Sequence, residues 1–196
     1  MGKSQADIVA RILNGLLDQE GEFVEDPADR GGATKHGISL RYATGIGLDL
    51  DGDGDVDRDD IIRLTPEEAA RLFRRDFFEE PGIHRLPAPL WPVLVDWAVN
   101  SGAARPLLAL QQTLNAFLDL RPGLYPPLVE DGRMGPKTRR AAESALALVA
   151  PAWIINAVCD RREAFYRDLV RRDPTQRRFL AGWLRRTDSF REETPA

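Results

Sequence analysis

The chain holds a single cysteine, Cys159, among 196 residues. No intrachain disulfide can form, and the sequence is indifferent to redox compartment. Cys159 ends the apolar stretch Trp153-Ile154-Ile155-Asn156-Ala157-Val158-Cys159, which suits a buried structural thiol better than a nucleophile. No apolar run approaches the length of a membrane span. The N-terminus, Met1-Gly2-Lys3-Ser4-Gln5-Ala6-Asp7, lacks the apolar core of a signal peptide, so synthesis in the cytoplasm is the expectation. Alternating strand patterns longer than a few residues, internal repeats and low-complexity segments are also missing. These absences exclude a disulfide scaffold, a membrane-inserted chain and a solenoid.

What remains is an ordinary globular composition, 43% hydrophobic and 30% charged, enough for one core or for two lobes. The net charge of -4 hides an asymmetry. Residues 1–100 carry 20 acidic and 11 basic side chains, whereas residues 101–196 carry 11 acidic and 16 basic. A basic C-terminal half can approach a polyanion, although solvated arginine-rich helix faces explain it more plainly.

Periodicity predicts a mainly helical chain. Ile8, Val9, Ile12, Leu13, Leu16 and Leu17 form one face of a helix over Gln5–Gln19, with Gly21 as its stop. Residues 21–37 read as a loop or short hairpin, and residues 37–48 as a short helix with a glycine-rich end. Thr65-Pro66-Glu67-Glu68 is a helix start with a capping box, predicting a helix to about Phe78. Further helices are expected over Trp91–Val99, with Trp91, Leu94, Val95 and Ala98 on one side, and over Leu107–Phe117, Pro136–Leu148, Ala152–Arg171 and Gln176–Arg186. The fold class is therefore all-α, with room for one small β-hairpin in the 21–38 loop, and a lobe boundary falls near residues 101–106.

Two carboxylates stand out. Glu20 closes an amphipathic helix, where partial burial and the helix C-terminal dipole both disfavour its charged form and keep a proton available. Asp29 lies in the following glycine-bounded loop, where solvent keeps it ionised. An acid and a base in two environments are what glycoside hydrolysis requires, although an acidic loop after a helix is ordinarily just a solvated turn. The segment also resembles the motif of the N-acetylmuramidases of glycoside hydrolase family 108. Glu20-Gly21, Phe23, Asp26-Pro27, Asp29, Gly31-Gly32, Thr34 and Gly37-Ile38 all fall in its register. The resemblance implies a lysozyme-like helical fold and assigns the catalytic acid to Glu20. By a looser likeness to phage lysozymes, Asp29 and Thr34 would position water. One departure is Glu22, which stands where the pattern has a second glycine. It would raise the Glu20 pKa further or act as the acid itself.

The resemblance continues through Asp96-Trp97-Ala98-Val99-Asn100-Ser101-Gly102 with Leu110-Gln111, Arg162-x-x-Phe165-Tyr166 and Phe179-x-x-Gly182-Trp183. Asp131-Gly132-Arg133-Met134-Gly135-Pro136-Lys137-Thr138 resembles the turn of small peptidoglycan-binding helical modules, though Gly132, Gly135 and Pro136 are first of all turn and helix-start residues. The resemblance implies a lysozyme-like domain over 5–100 and a peptidoglycan-binding-like helical lobe over 101–190. Glu22, His36 and Asn100 are the substrate-binding candidates. The implied partner is the peptidoglycan glycan strand, with no role for nucleic acid. Action on the wall would then need a helper for export, a holin or a secretion system. A catalytically inactive wall-binding protein and a lytic transglycosylase are the competing readings.

Residues 49–60 fit an EF-hand-type calcium loop. Asp49, Asp51 and Asp53 stand at positions one, three and five, Gly54 at six, and Asp55 at seven, where it would offer its carbonyl. Val56 fills the apolar eighth place, Asp57 stands at nine and Asp60 at twelve. Asp60 stands where sensor loops use glutamate, and its shorter arm resembles a dockerin-like loop. The expected ion is structural Ca2+, and the chemistry itself needs no cofactor.

Overall fold

The computed structural model describes residues 23–24 and 32–194. The expected helix over Gln5–Gln19, and Glu20, Glu22 and Asp29 with it, lie outside the described residues. The chain divides into two compact units, Met1–Asp76 and Phe77–Ala196. Eight α-helices and one two-stranded sheet are found among the described residues, so the fold is mostly helical with a minimal hairpin.

In the first unit, β1 (Thr34–Lys35) pairs antiparallel with β2 (Ile38–Ser39), with Thr34 opposite Ser39 and Lys35 opposite Ile38. Only His36 and Gly37 connect them, at φ 51° and 73°. Two positive φ values are what a type I′ turn demands, and histidine is among the few side chains that tolerate the first. Ser39 then caps α1 (Leu40–Ile46), its hydroxyl accepting from the Tyr42 N–H, and Gly47 ends the helix in the left-handed region. The acidic loop leads to α2 (Arg58–Arg63). A second capping box, between Thr65 and Glu68, starts α3 (Pro66–Arg74) as its sequence requires. Beyond Arg74 the chain widens into a π turn over Arg75–Glu79, so the α-helical part stops short of Phe78.

In the second unit, α4 (Trp91–Ser101) is hemmed in. Val93, Asp96 and Trp97 are buried along with Trp91, Leu94, Val95 and Ala98, so the one-sided stripe expected from sequence is in fact a helix buried nearly all round. Its neighbours are α5 (Ala104–Leu120) and α7 (Pro151–Arg172). α6 (Pro136–Leu146) packs on α5, and α8 (Arg177–Asp188) packs on α7, where Tyr166 stacks on Trp183 with ring centroids 4.9 Å apart. Cys159 is fully buried and donates to the Thr187 carbonyl, and burial pushes its thiol up to about 11.

A charged clasp sits inside this apolar packing. Asp96 Oδ2 accepts from Arg162 Nη2 at 2.7 Å, while Asp96 Oδ1 accepts from Arg186 Nε and Nη2 at 2.8 and 2.7 Å. Arg162 has no exposed surface, and its guanidinium lies 5.9, 5.6 and 5.7 Å from the Trp97, Tyr166 and Phe190 rings. One carboxylate thus joins α4, α7 and α8. Breaking one side of a buried ion pair typically costs about 3–5 kcal/mol, because the partner charge is left stranded. Asp96→Ala is expected to destabilise the protein by about that amount in urea melts. A loss below about 1 kcal/mol would mean that water satisfies the two arginines instead.

Candidate active site and metal loop

The described part of the carboxylate motif is built around Thr34. Its N–H donates to the Val24 carbonyl and its carbonyl accepts from the Val24 N–H, both at 2.8 Å. Thr34 therefore sits between two extended neighbours, Val24 on one side and Ser39 on the other. Its hydroxyl donates to the Gly32 carbonyl at 3.4 Å, a long bond that leaves the oxygen's lone pairs available. His36 is half-buried at the hairpin tip. Burial, then the neighbouring Lys35 charge, holds its imidazole below the ordinary value, which favours the neutral ring near pH 7. Asn100, the other described binding candidate, lies in the second unit, exposed on the last turn of α4, where its amide donates to the Asp96 carbonyl at 2.7 Å.

The acidic loop is tied to this hairpin. The Lys35 ammonium donates to the Ile62 carbonyl in α2, and the Arg58 guanidinium lies 5.0 Å from the Phe23 ring centroid. Phe23 is the aromatic of the carboxylate motif. Below α1, Arg75 grips Asp76, which also accepts from Tyr42, and these bonds keep the Asp76 carboxyl below its ordinary value; burial and then the bond to Asp76 raise the Tyr42 phenol.

Within the loop, carboxylates turn inward onto backbone N–H groups. Asp49 accepts from Gly52 and Gly54 at 2.6 and 3.1 Å. Asp51 accepts from Asp53, and Asp53 from Asp55. Asp57 is the N-cap of α2, and the buried Asp60 closes that capping box by accepting from Asp57 at 2.8 Å. The other Asp60 oxygen accepts from Leu50 and Asp51 at 2.5 and 3.3 Å. An ionised carboxylate offers about four acceptor directions, so roughly one of Asp60's remains for another partner. These N–H groups hold the Asp60 pKa below its ordinary value. Asp55 is raised by the charge of Asp53 and then by burial; Asp51 is raised by burial and by the charges of Asp53 and Asp60.

Carboxylate oxygens of Asp49, Asp51 and Asp53 come within 4.8 Å of one another, as do those of Asp55, Asp57 and Asp60. All six aspartates read from the sequence thus fall into two acidic groups with the hard oxygen donors a divalent cation takes. Sequence reasoning did not foresee the structural use of Asp60, although an aspartate three residues after an N-cap aspartate was a signal for it.

A second polar centre joins Gln111 to the Asp131–Thr138 turn, two segments that the sequence singled out separately. Gln111 in α5 is buried, and its amide donates to Asp131, to the Arg133 carbonyl at 3.0 Å and, more weakly, to Thr138, while its oxygen accepts from the Gly132 N–H at 2.8 Å. One turn along the helix, Asn115 pairs with both backbone groups of Leu128. Gly132, at φ 68°, lies so close to α5 that an added Cβ would stand 2.6 Å from the Ala104 carbonyl oxygen. The Asp131–Thr138 turn is therefore fastened to α5 by side chains and by contact that only glycine permits.

Comparison with known proteins places these features. The family described as glycosyl hydrolase 108 matches residues 13–102, and the family described as a predicted peptidoglycan domain matches residues 105–188. No curated protein matches the chain. The solved structure of Brucella abortus SagA is similar over 94% of this chain and 96% of its own length, at 25% identity and a TM-score of 0.66. The chain thus joins a glycosyl hydrolase 108 domain to a C-terminal predicted peptidoglycan domain.

Proposed function

We propose that the protein hydrolyses peptidoglycan glycan strands at the bond between N-acetylmuramic acid and N-acetylglucosamine, with Glu20 as general acid. The observation that carries this reading is the placing of Thr34. It lies inside the segment matched by the glycosyl hydrolase family, paired on both sides, with its hydroxyl only loosely engaged. In this reading Thr34 and Asp29 hold a water against the sugar face opposite the leaving oxygen, while Glu20 protonates that oxygen. Glu22, His36 and Asn100 contact the strand. The catalytic part extends over residues 5–100 and the wall-binding lobe over 101–190. No described helix is long and apolar enough to cross a membrane. In this proposal other machinery, a holin or a secretion system, brings the enzyme to the wall.

Glu20→Gln keeps the side-chain shape but donates no proton. It is expected to leave the melting temperature unchanged and to cut release of reducing ends from purified sacculi by about 100- to 10,000-fold. Glu22→Gln is expected to retain most activity; the reverse pattern would move the acid to Glu22. Mass spectrometry of the digest separates the alternatives, because a transglycosylase leaves anhydro-sugars and a binding protein leaves no products.

Water attacking from the opposite face inverts the anomeric centre. The first product seen by NMR on a soluble glycan fragment is expected to be the α-anomer at the new reducing end. A β-anomer, with a trapped glycosyl-enzyme, would replace Asp29 as water-holder by a nucleophile.

The loop Asp49–Asp60 is proposed to hold one structural Ca2+ through the Asp49, Asp51, Asp53 and Asp60 side chains and the Asp55 carbonyl, at about 2.3–2.6 Å, with Asp57 contributing directly or through water. Burial and then neighbouring charge raise Asp51, and the charge of Asp53 and then burial raise Asp55, so their share of stability is present at low pH and lost as pH rises through their folded values. A cation reverses that loss. Calcium at about 100 times its Kd is expected to add about 2.7 kcal/mol of stability near neutral pH, and much less near pH 4, where the carboxylates protonate. Magnesium is expected to substitute poorly. A melting temperature indifferent to both chelator and calcium would return the loop to a solvated acidic turn.

A further inference from the structure

The Gln111-fastened turn separates two adjoining hollows that share Gly135, Pro136 and Arg140. One, of about 490 Å³, is lined by Leu128, Val129, Arg133 and Lys137 among others. The other, of about 260 Å³, takes in Arg85 and the Arg139–Glu143 pair. Arg85 and Met134 line it together, and a Cβ added to Gly82 would stand only 3.0–3.2 Å from the Met134 side chain.

The charges here differ from those on α7. All five arginines of α7 are engaged: Arg161 with Thr113 and the Gln112 carbonyl, Arg162 with Asp96, Arg167 with Glu163, and Arg171 and Arg172 with Asp168. By contrast Arg85, Arg133, Lys137 and Arg140 make no ion pair among the described residues, yet all four line the same double hollow. The nearest acid in the larger hollow, Asp131, is occupied by Gln111 and by the Arg133 N–H, which hold its carboxyl below the ordinary value. Four cations without an ion pair among the described residues, set around a turn fastened to α5 and beside an apolar floor of Leu128, Val129 and Pro136, complement a ligand with several carboxylates and small apolar groups.

From this geometry we infer that the double hollow binds the peptide stems of peptidoglycan, through their carboxylates, and not the glycan. The inference rests on the reading of the C-terminal unit as wall-binding. Chemistry chooses between the two parts of the polymer. N-acetylated sugars whose lactyl carboxyl is in amide linkage carry no charge, so the anionic groups lie on the stems. Alanine methyls of the stem suit the Leu128 and Val129 surface. Guanidinium groups at Arg133 and Arg140 suit bidentate pairing with a carboxylate.

The test uses the full chain carrying Glu20→Gln, so that bound wall is not digested. Cosedimentation is measured with intact sacculi, with glycan stripped of its stems by an amidase and its freed lactyl carboxyls capped as methylamides, and with duplex DNA. Intact sacculi are expected to bind about tenfold more tightly than stripped glycan, and soluble stem peptides to compete. Arg133→Ser/Arg140→Ser is expected to abolish that preference with no change in melting temperature, since both side chains are exposed. Should the double variant melt early, Arg140→Gln alone is expected to reduce the preference. Equal binding of intact and stripped glycan, or a preference that survives the double variant, overturns the inference. So does DNA bound as tightly as sacculi, which would mark a general polyanion surface. Reducing-end release by the unmodified enzyme is scored separately: its absence alongside a stem preference sinks the hydrolase reading and leaves this one standing.

Discussion

Asp96 grips two arginines from the last two described α-helices, and the second unit is organised around that grip. A carboxylate and a guanidinium both lose water on burial, and the arrangement is stable because each Asp96 oxygen has its own guanidinium and the Arg162 cation also rests among aromatic rings. Because the partners come from α4, α7 and α8, the three helices have one register that satisfies them all. Packing of Leu94, Ile155 and Val158 alone would tolerate small slips; the ion triad does not.

The same interaction crosses the line between the two family matches. Asp96 lies in the segment matched as glycosyl hydrolase 108, and Arg162 and Arg186 lie in the segment matched as a peptidoglycan domain. The last helix of the hydrolase segment is folded into the second unit as one of its most buried elements. In the first unit a comparable role falls to α2. Its start is fixed by Asp57 and Asp60 of the acidic loop, and it is tied to the hairpin through Ile62 and Arg58. The acidic loop thus braces the strand that carries Thr34.

The helices were legible in the sequence because their signals are local. Thr65-Pro66-Glu67-Glu68 contains its whole capping box, and Gly47 and Pro136 mark ends through their own backbone preferences. The hairpin could be read only as an option, since its two-residue strands are too short for a periodic pattern, and His36 is a less usual occupant of a type I′ turn than asparagine. The four residues assigned to one side of α4 are buried, but the stripe carried no sign that Val93, Asp96 and Trp97 are buried as well, and Asp96 is interior because two arginines more than sixty residues away pair with it.

The sequence by itself determined most of the described helices and several of their starts, which aspartates crowd into one loop, and which residues fall in register with a glycoside hydrolase motif. Those properties follow from neighbours within a few positions of the chain. Tertiary structure alone decided that Gln111 fastens a turn twenty residues away, and that Arg133, Lys137 and Arg140 line a hollow with no ion pair among the described residues while the arginines of α7 find partners. The reason is that a charge or an amide acquires its role from what packing brings within about 3 Å of it, and a linear pattern does not encode that distance.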